Sequence, residues 1–251
     1  MKLLLQSDLH MEMGEFIAID QTEADVVVLA GDINIGTRGL EWAIMKAKAL
    51  SKPFIYVAGN HEYYRKEYFG LQADLRAMAA EHENVHFLEE DEVVIDGVRF
   101  LGATLWTDYK ATTEFSQAAN MGIAGVSLND HRLIRYGDER FTPEHALALN
   151  QKSVAWLTEK LDTPFDGKTV VVTHHGPSLK SAHPEYGLNQ LSTAFISNLD
   201  DLVEKADVWC FGHTHSGIDT QVGKCRLVSN QRGYPMERLP VPFNRQFTVT
   251  V

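Results

Sequence analysis

Five short polar stretches carry most of the residues in this chain that could do chemistry: "SDLH" at residues 7–10, "GDIN" at 31–34, "GNHE" at 59–62, "THHGP" at 173–177 and "GHTH" at 212–215. They supply Asp8, His10, Asp32, Asn60, His174, His213 and His215, all oxygen or nitrogen donors with no cysteine among them. Such a set suits hard to borderline divalent cations and is too rich in nitrogen for calcium alone. Seven donors exceed the need of one four-coordinate ion. They suit two ions about 3.5 to 4 Å apart that share a carboxylate, as in two-metal hydrolytic sites, and Asp32 is the natural bridge. His213 and His215 are two apart, so an extended segment would send both side chains to one side. Gly31, Gly59 and Gly212 precede the first donor of their stretches, where a Cβ is expected to crowd the metals.

The elements that must position these residues are legible as short apolar runs. "KLLLQ", "VVVLA", "FIYVA", "TVVVT" and "DVWCF" read as strands covered on both faces, and each ends at one of the five stretches. Loops beyond the carboxyl ends of strands converge on one edge of an α/β sheet, where ligands bind. Helical spacing appears in "GLEWAIMKAKAL" through Leu40, Ile44 and Ala47, and in "FGLQADLRAMAAEH" through Leu71, Leu75 and Met78. "FTPEHALALNQKSVAWLTEKL" reads as a helix capped by Thr142 with Pro143 as its first residue, and "STAFISNLDDLVEKA" as one capped by Ser192. "EVVIDGVRFLGAT" predicts a hairpin turning at Asp96-Gly97, "IDTQVGKCRLVSN" a second turning at Gly223, and "RQFTVTV" a final strand. Early strand–helix alternation followed by hairpins predicts mixed sheets in a single domain over residues 1–251. Residues 104–141 are weakly patterned and longer than an ordinary loop, which marks them as a cap or insertion over the site.

Composition narrows the partners. The formal net charge is -11, from 34 acidic against 23 basic residues, with no basic stripe. A long nucleic acid is therefore an unfavourable partner, because phosphate-backbone affinity comes mainly from Lys and Arg. A small anion held by a local positive centre remains compatible with the balance. The amino-terminal "MKLLLQSDLH" is too short for a signal h-region and no apolar run approaches about 18 residues, so a membrane span is not expected. Cys210 and Cys225 are too few for a disulfide framework and read as reduced thiols, which points to the cytoplasm. No P-loop, dinucleotide fingerprint or Gly-x-Ser-x-Gly elbow is present.

The order Asp-x-His, Gly-Asp, Gly-Asn-His-Glu, strand-end His and Gly-His-x-His, standing here as "SDLH", "AGDIN", "AGNHE", "VTHHGP" and "FGHTH", resembles the calcineurin-like metallophosphoesterases. The likeness runs from Asp8 to His215 with no donor position substituted. It implies a four-layer α/β/β/α sandwich with mixed β-sheets and a dinuclear centre of divalent ions, with Mn, Fe, Zn, Co and Ni all open. Asp8, His10 and His215 would then hold one metal, Asn60, His174 and His213 the other, and Asp32 both. In "THHGP" the ligand is placed at His174, which follows the strand directly, leaving His175 behind it or facing substrate. Asp32 counts as catalytic as the bridge between the metals, and Asn60 as stabilising, with the metals and His61, the charge that grows on the phosphoryl oxygens. His61 resembles the family's residue that protonates the leaving oxygen, with Glu62 orienting its loop or His61 itself. The activity implied is hydrolysis of phosphate mono- or diesters of a small, possibly nucleotide, substrate by a bridging hydroxide. A nuclease, a protein phosphatase and a non-catalytic scaffold are the alternatives on the same fold.

Taken singly, each stretch has an ordinary explanation as turn chemistry or a helix cap; their joint recurrence at strand ends does not. His82, His86, His131 and His145 read as structural or solvated, His183 as a surface residue on the loop after "HHGP" with substrate contact as the alternative, Trp106 as packing, and the acidic pair in "LEEDE" as a solvated turn.

Overall fold

Continuous apolar residues along the short β-branched runs must bury both faces of each strand, and the fold is built around that requirement. A computed structural model describes residues 1–14, 19 and 21–251. A five-stranded sheet is ordered β13-β1-β2-β3-β4, from β1 (Lys2–Gln6), β2 (Val26–Ala30), β3 (Phe54–Val57), β4 (Val85–Phe87) and β13 (Thr248–Thr250). Strands β1 to β4 are parallel and β13 closes one edge antiparallel. A six-stranded sheet is ordered β11-β12-β10-β9-β6-β5, from β5 (Asp91–Ile95), β6 (Val98–Ala103), β9 (Lys168–Thr173), β10 (Val208–Phe211), β11 (Ile218–Val222) and β12 (Cys225–Ser229). Its four inner strands are parallel, and β5 and β11 flank them as hairpin partners. Both hairpins turn where expected, with positive φ at Asp96, Gly97 and Gly223.

Period-two alternation sorts the core into three layers. Leu3, Leu5, Val26, Val28, Ile55 and Val57 meet Phe100, Val170, Val172, Val208, Cys210 and Val228 between the two sheets. The opposite faces, Leu4, Val27, Leu29 and Tyr56 in the first sheet, pack on Leu40, Ala43 and Ala47 of α1 (Arg38–Leu50) and Leu71 and Leu75 of α2 (Tyr68–Ala80). On the other side Val171, Trp209, Phe211 and Leu227 lie against Leu157 of α5 (Pro143–Asp162) and against Leu202 and Val203 of α6 (Asp200–Val203). This is the four-layer α/β/β/α sandwich with mixed sheets that the resemblance implies. Thr142 caps α5 with Pro143 in its first turn, and His145 completes the capping box, which gives that histidine a structural role.

Residues 104–141 form α3 (Gln117–Ser127), α4 (Asp130–Leu133) and a small hairpin of β7 (Arg135–Tyr136) and β8 (Glu139–Arg140). Trp106 is buried against Phe141 and His175, as packing, and His131 is buried with Nδ1 on Phe141 O. His82 is exposed and His86 half-buried at the α2–β4 junction.

Two expectations fail. Residues 192–206 do not make one helix: a 3-10 turn at Leu191–Ala194 and the short α6 stand there instead. Ser192 is not a cap; its hydroxyl donates to Asn189 O, while the Asn189 side chain accepts from Leu191 and Ser192 N–H. The backbone of 195–199 then pairs with the strand-end loop of β9, through Gly176 N–H to Phe195 O and Ser197 N–H to Gly176 O, so it is lost to a helix. The pair in "LEEDE" is not a solvated turn either. Glu89 is 1% exposed and accepts from both Thr104 N–H and Oγ1–H, and half-buried Glu90 accepts from Ser153 and Lys152.

Candidate metal centre

All five polar stretches meet beyond the carboxyl ends of β1, β2, β3, β9 and β10. Backbone bonds past the strand ends join neighbouring loops: His10 N–H to Asp32 O at 3.0 Å in the first sheet, Gly212 N–H to His174 O at 2.9 Å in the second. Side chains then join the sheets, with His213 N–H donating to Asp8 Oδ1 at 2.9 Å and His174 Nδ1–H to Ala30 O at 2.9 Å.

The loops hold unfavourable backbone. Asp8, His10, Asp32, His213 and His215 all have left-handed φ, between 44° and 70°, a conformation that costs a non-glycine residue of order 1–3 kcal/mol and that clusters at functional sites. The segment from Gly212 to His215 is therefore a tight bend, closed by Thr214 N–H to Gly212 O, rather than the extended run expected. His213 and His215 face two neighbouring groups of donors because of that bend, not because of strand alternation. Gly59 is needed for a related reason: a Cβ there would collide with Asp32 Oδ1 and His174 Cε1. The glycine makes room for the donor side chains themselves.

Two groups of donors result, with Asp32 touching both. In one, His10 Nε2 lies 3.1 Å from His215 Nε2 and 3.8 Å from Asp32 Oδ2, and His215 Nε2 is 3.6 Å from Asp8 Oδ1. In the other, His174 Nε2 lies 3.0 Å from Asn60 Oδ1, 3.1 Å from His213 Nδ1 and 3.5 Å from Asp32 Oδ1. Asp8, His10 and His215, and likewise Asp32, His174 and His213, bring one donor atom each to within 4.8 Å of one another; a third grouping of His10, Asp32 and His61 overlaps them. His175 is in none of the three.

The other ring nitrogens decide what these contacts are. Glu12 Oε1 accepts from Nδ1 of His10 at 3.2 Å and of His61 at 2.8 Å, and Glu237 Oε2 accepts from Nδ1 of His215 at 2.7 Å. With those protons on Nδ1, the facing Nε2 atoms of His10 and His215 are both lone pairs. His174 is fixed likewise by Ala30 O, and Asn60 by its Nδ2, which donates to Asp130 Oδ1 at 2.8 Å and to Tyr64 Oη at 3.1 Å, so Oδ1 turns to His174. Acceptors therefore converge on acceptors, and His213 Nε2 and Asp8 Oδ2 are buried without a partner. Divalent cations would satisfy such converging lone pairs of neutral rings, and the donor set fits them.

A model of the calcineurin-like phosphoesterases matches residues 1–217. The chain belongs to the calcineurin-like phosphoesterase family. It is similar to uncharacterized protein L509 of Acanthamoeba polyphaga mimivirus, 26% identical over 263 residues that cover 92% of this chain and 91% of that one. Its fold is similar to that of the phosphopantetheinyl hydrolase of Mycobacterium tuberculosis, at a TM-score of 0.72 and 21% identity, covering 93% of this chain and 90% of that one.

In this family member the electrostatics follow from burial and from the acceptors. Burial works against charge on His174, but Asp32 beside it raises its pKa to about 10. His61 is likewise raised to about 9, with Asp32 and Glu12 overcoming burial. Burial pushes Glu12 up, but the hydrogen bonds from His10 and His61 bring it to about 2. His175 is lowered to about 3 by burial and by His174, its Nδ1 facing Thr104 O at 3.1 Å, so it is a neutral packing residue behind His174 and His213. Glu62 orients the loop rather than His61: it accepts from Asp32, Ile33 and Gly59 N–H and from Tyr56 Oη–H.

Sequence reading missed Glu12, Asp130, Tyr64, Tyr234 and Glu237. None lies in a recognisable motif. Tyr234 and Glu237 arrive because the chain after β12 crosses to the first sheet, bridging Gln231 to Ser7. Tyr234 Oη then reaches His61 Nε2 at 3.2 Å.

Proposed function

We propose that this chain is a metal-dependent phosphoesterase acting on mono- or diesters of a small phosphorylated substrate through two divalent ions. Asp8, His10 and His215 would hold one ion, Asn60, His174 and His213 the other, and Asp32 would face both. What supports the reading is the convergence of lone pairs: Glu12, Glu237, Ala30 O and Asp130 turn His10, His215, His174 and Asn60 so that their acceptor atoms meet. Bound divalent ions supply Lewis acidity to phosphoryl oxygens and bring the pKa of water towards neutrality.

The rest falls to the chain's own residues. Glu12 holds Nδ1–H of His61, so this imidazole gives up a proton from Nε2, the atom that faces Tyr234 Oη. With Asp32 and Glu12 beside it, His61 is the group suited to protonate a leaving alkoxide at neutral pH. Asn60 Nδ2, engaged by Asp130 and Tyr64, keeps the amide from turning a donor towards the metals. Cys210 and Cys225 are buried free thiols, and no helix among the described residues is long and apolar enough to cross a membrane.

The test is turnover of matched aryl phosphate mono- and diesters by protein loaded with manganese. His61→Ala should keep its metal and lose about 100-fold or more in turnover, with the deficit growing as the leaving group becomes more basic. Equal turnover by His61→Ala on a poor leaving group would remove it from the acid role. The name of the mycobacterial neighbour puts phosphopantetheinyl esters among the substrates to assay.

A further inference from the structure

A cavity of about 640 Å³ opens over the donor clusters, with Asp32, Asn60, His61, His213 and His215 at its floor, a size suited to a small organic ligand. Residues 127–130, from the end of α3 to the start of α4, form one wall and residues between 182 and 192 another. His183 therefore lies in the cavity wall, half-buried and stacked on Tyr186 at 4.4 Å, not on open surface.

The walls hold no counter-charge for a second anion. No lysine or arginine lines the cavity among the described residues, and Glu15, Phe16, Ile17, Ala18 and Asp20, which lie outside them, include none. Arg132, next to this wall in sequence, directs its guanidinium to Ser127 O and Asn129 Oδ1. Four carboxylates line the cavity, Asp32 at its floor and Asp130, Glu185 and Glu237 in its walls. The remaining surface is largely uncharged, with Tyr186, Phe195 and Tyr234 presenting rings. Sites for several phosphates supply Arg or Lys forks, whereas aromatic walls favour flat apolar or cationic groups.

We infer that the substrate carries a single phosphoryl group and that its alcohol portion bears no other negative charge, being neutral or cationic. This rests on the proposed function for the seat of the phosphoryl group. A second phosphate would stand among Asp130, Glu185 and Glu237, where like charges in a partly desolvated cleft repel.

The experiment compares 4-methylphenyl, 4-(aminomethyl)phenyl, 4-(carboxymethyl)phenyl and 4-(phosphonomethyl)phenyl phosphates with manganese-loaded protein at physiological salt, reading kcat/KM. The methyl and aminomethyl esters should exceed the carboxymethyl ester by about 10-fold and the phosphonomethyl ester by about 100-fold. Glu185→Lys, and separately 0.5 M salt, should narrow the gap at least threefold. Calorimetry with the corresponding benzylphosphonates reads the same selectivity as binding. Tighter binding of the neutral phosphonate without turnover of any ester would defeat the catalytic reading while upholding this one. Anionic compounds bound or hydrolysed as well as neutral ones, or a gap that neither Glu185→Lys nor salt alters, would overturn the inference even in an active enzyme.

Discussion

Each donor histidine of the first cluster has its second nitrogen held by a carboxylate: His10 by Glu12 and His215 by Glu237. Carboxylate partners of this kind fix the tautomer and raise ligand basicity, and their loss costs 10- to 100-fold in metal affinity in comparable sites. Glu12 serves two imidazoles at once, since His61 shares the same oxygen. Glu12→Ala should therefore weaken metal binding by about 10- to 100-fold and should also lower turnover at saturating metal, because His61 loses its anchor. Calorimetric metal titration together with kcat at saturating manganese checks both effects; unchanged affinity would leave Glu12 without its assigned part. The donors were legible in the sequence because each sits in a short motif at a strand end. Glu12, Asp130 and Glu237 were not, because a carboxylate that orients another side chain needs only to be close in space, and no spacing rule brings residue 237 to residue 215.

At the level of elements, two buried carboxylates tie strand ends together. Glu62 collects four backbone N–H groups, from Asp32, Ile33, Asn34 and Gly59, and the phenol of Tyr56. Glu62→Ala leaves those donors buried and unpaired at about 1–3 kcal/mol each, so a large drop in the unfolding midpoint is expected even without metal. Glu89 joins the β4–β5 turn to the end of β6, and burial and the neighbouring Glu90 push its pKa up to about 8. The folded state then holds a proton that the unfolded chain releases near the usual carboxylate value, so this group's contribution to stability falls as pH rises from about 4.5 to about 8. Glu89→Gln, which has no such proton to lose, should gain on the wild type across that window. Denaturant unfolding of both at pH 5 and pH 8 measures it; a difference that does not change with pH contradicts the burial argument. Strands and hairpins could be read from continuous apolar runs and from Asp96-Gly97, because those signals are local. The break of 192–206 could not, since its backbone is claimed by Gly176 across the fold, nor could the burial of Glu89 under Thr104.

Across the whole molecule, two sheets press apolar faces together and leave their carboxyl ends to meet in one pocket. The proposed metal donors come from both sheets, Asp8, His10, Asp32 and Asn60 from one and His174, His213 and His215 from the other, so bound metal should cross-link the sandwich. Ligand that binds only the folded state stabilises it by about 2.7 kcal/mol at 100 times its dissociation constant. Thermal unfolding after chelator treatment should therefore shift upward on adding manganese, and Asp32→Asn should abolish most of that shift. The layered architecture was readable from five apolar runs and the family resemblance. The make-up of the cavity walls was not, because residues 127–130, 182–192 and 234–237 come together only in the folded chain.

The most direct measurement is the metal stoichiometry of the purified protein by elemental analysis after reconstitution and desalting. Two divalent ions per chain are expected, with a loss of both in Asp32→Asn. A wild-type ratio of one or none, or an Asp32→Asn protein that keeps both ions, would contradict that expectation.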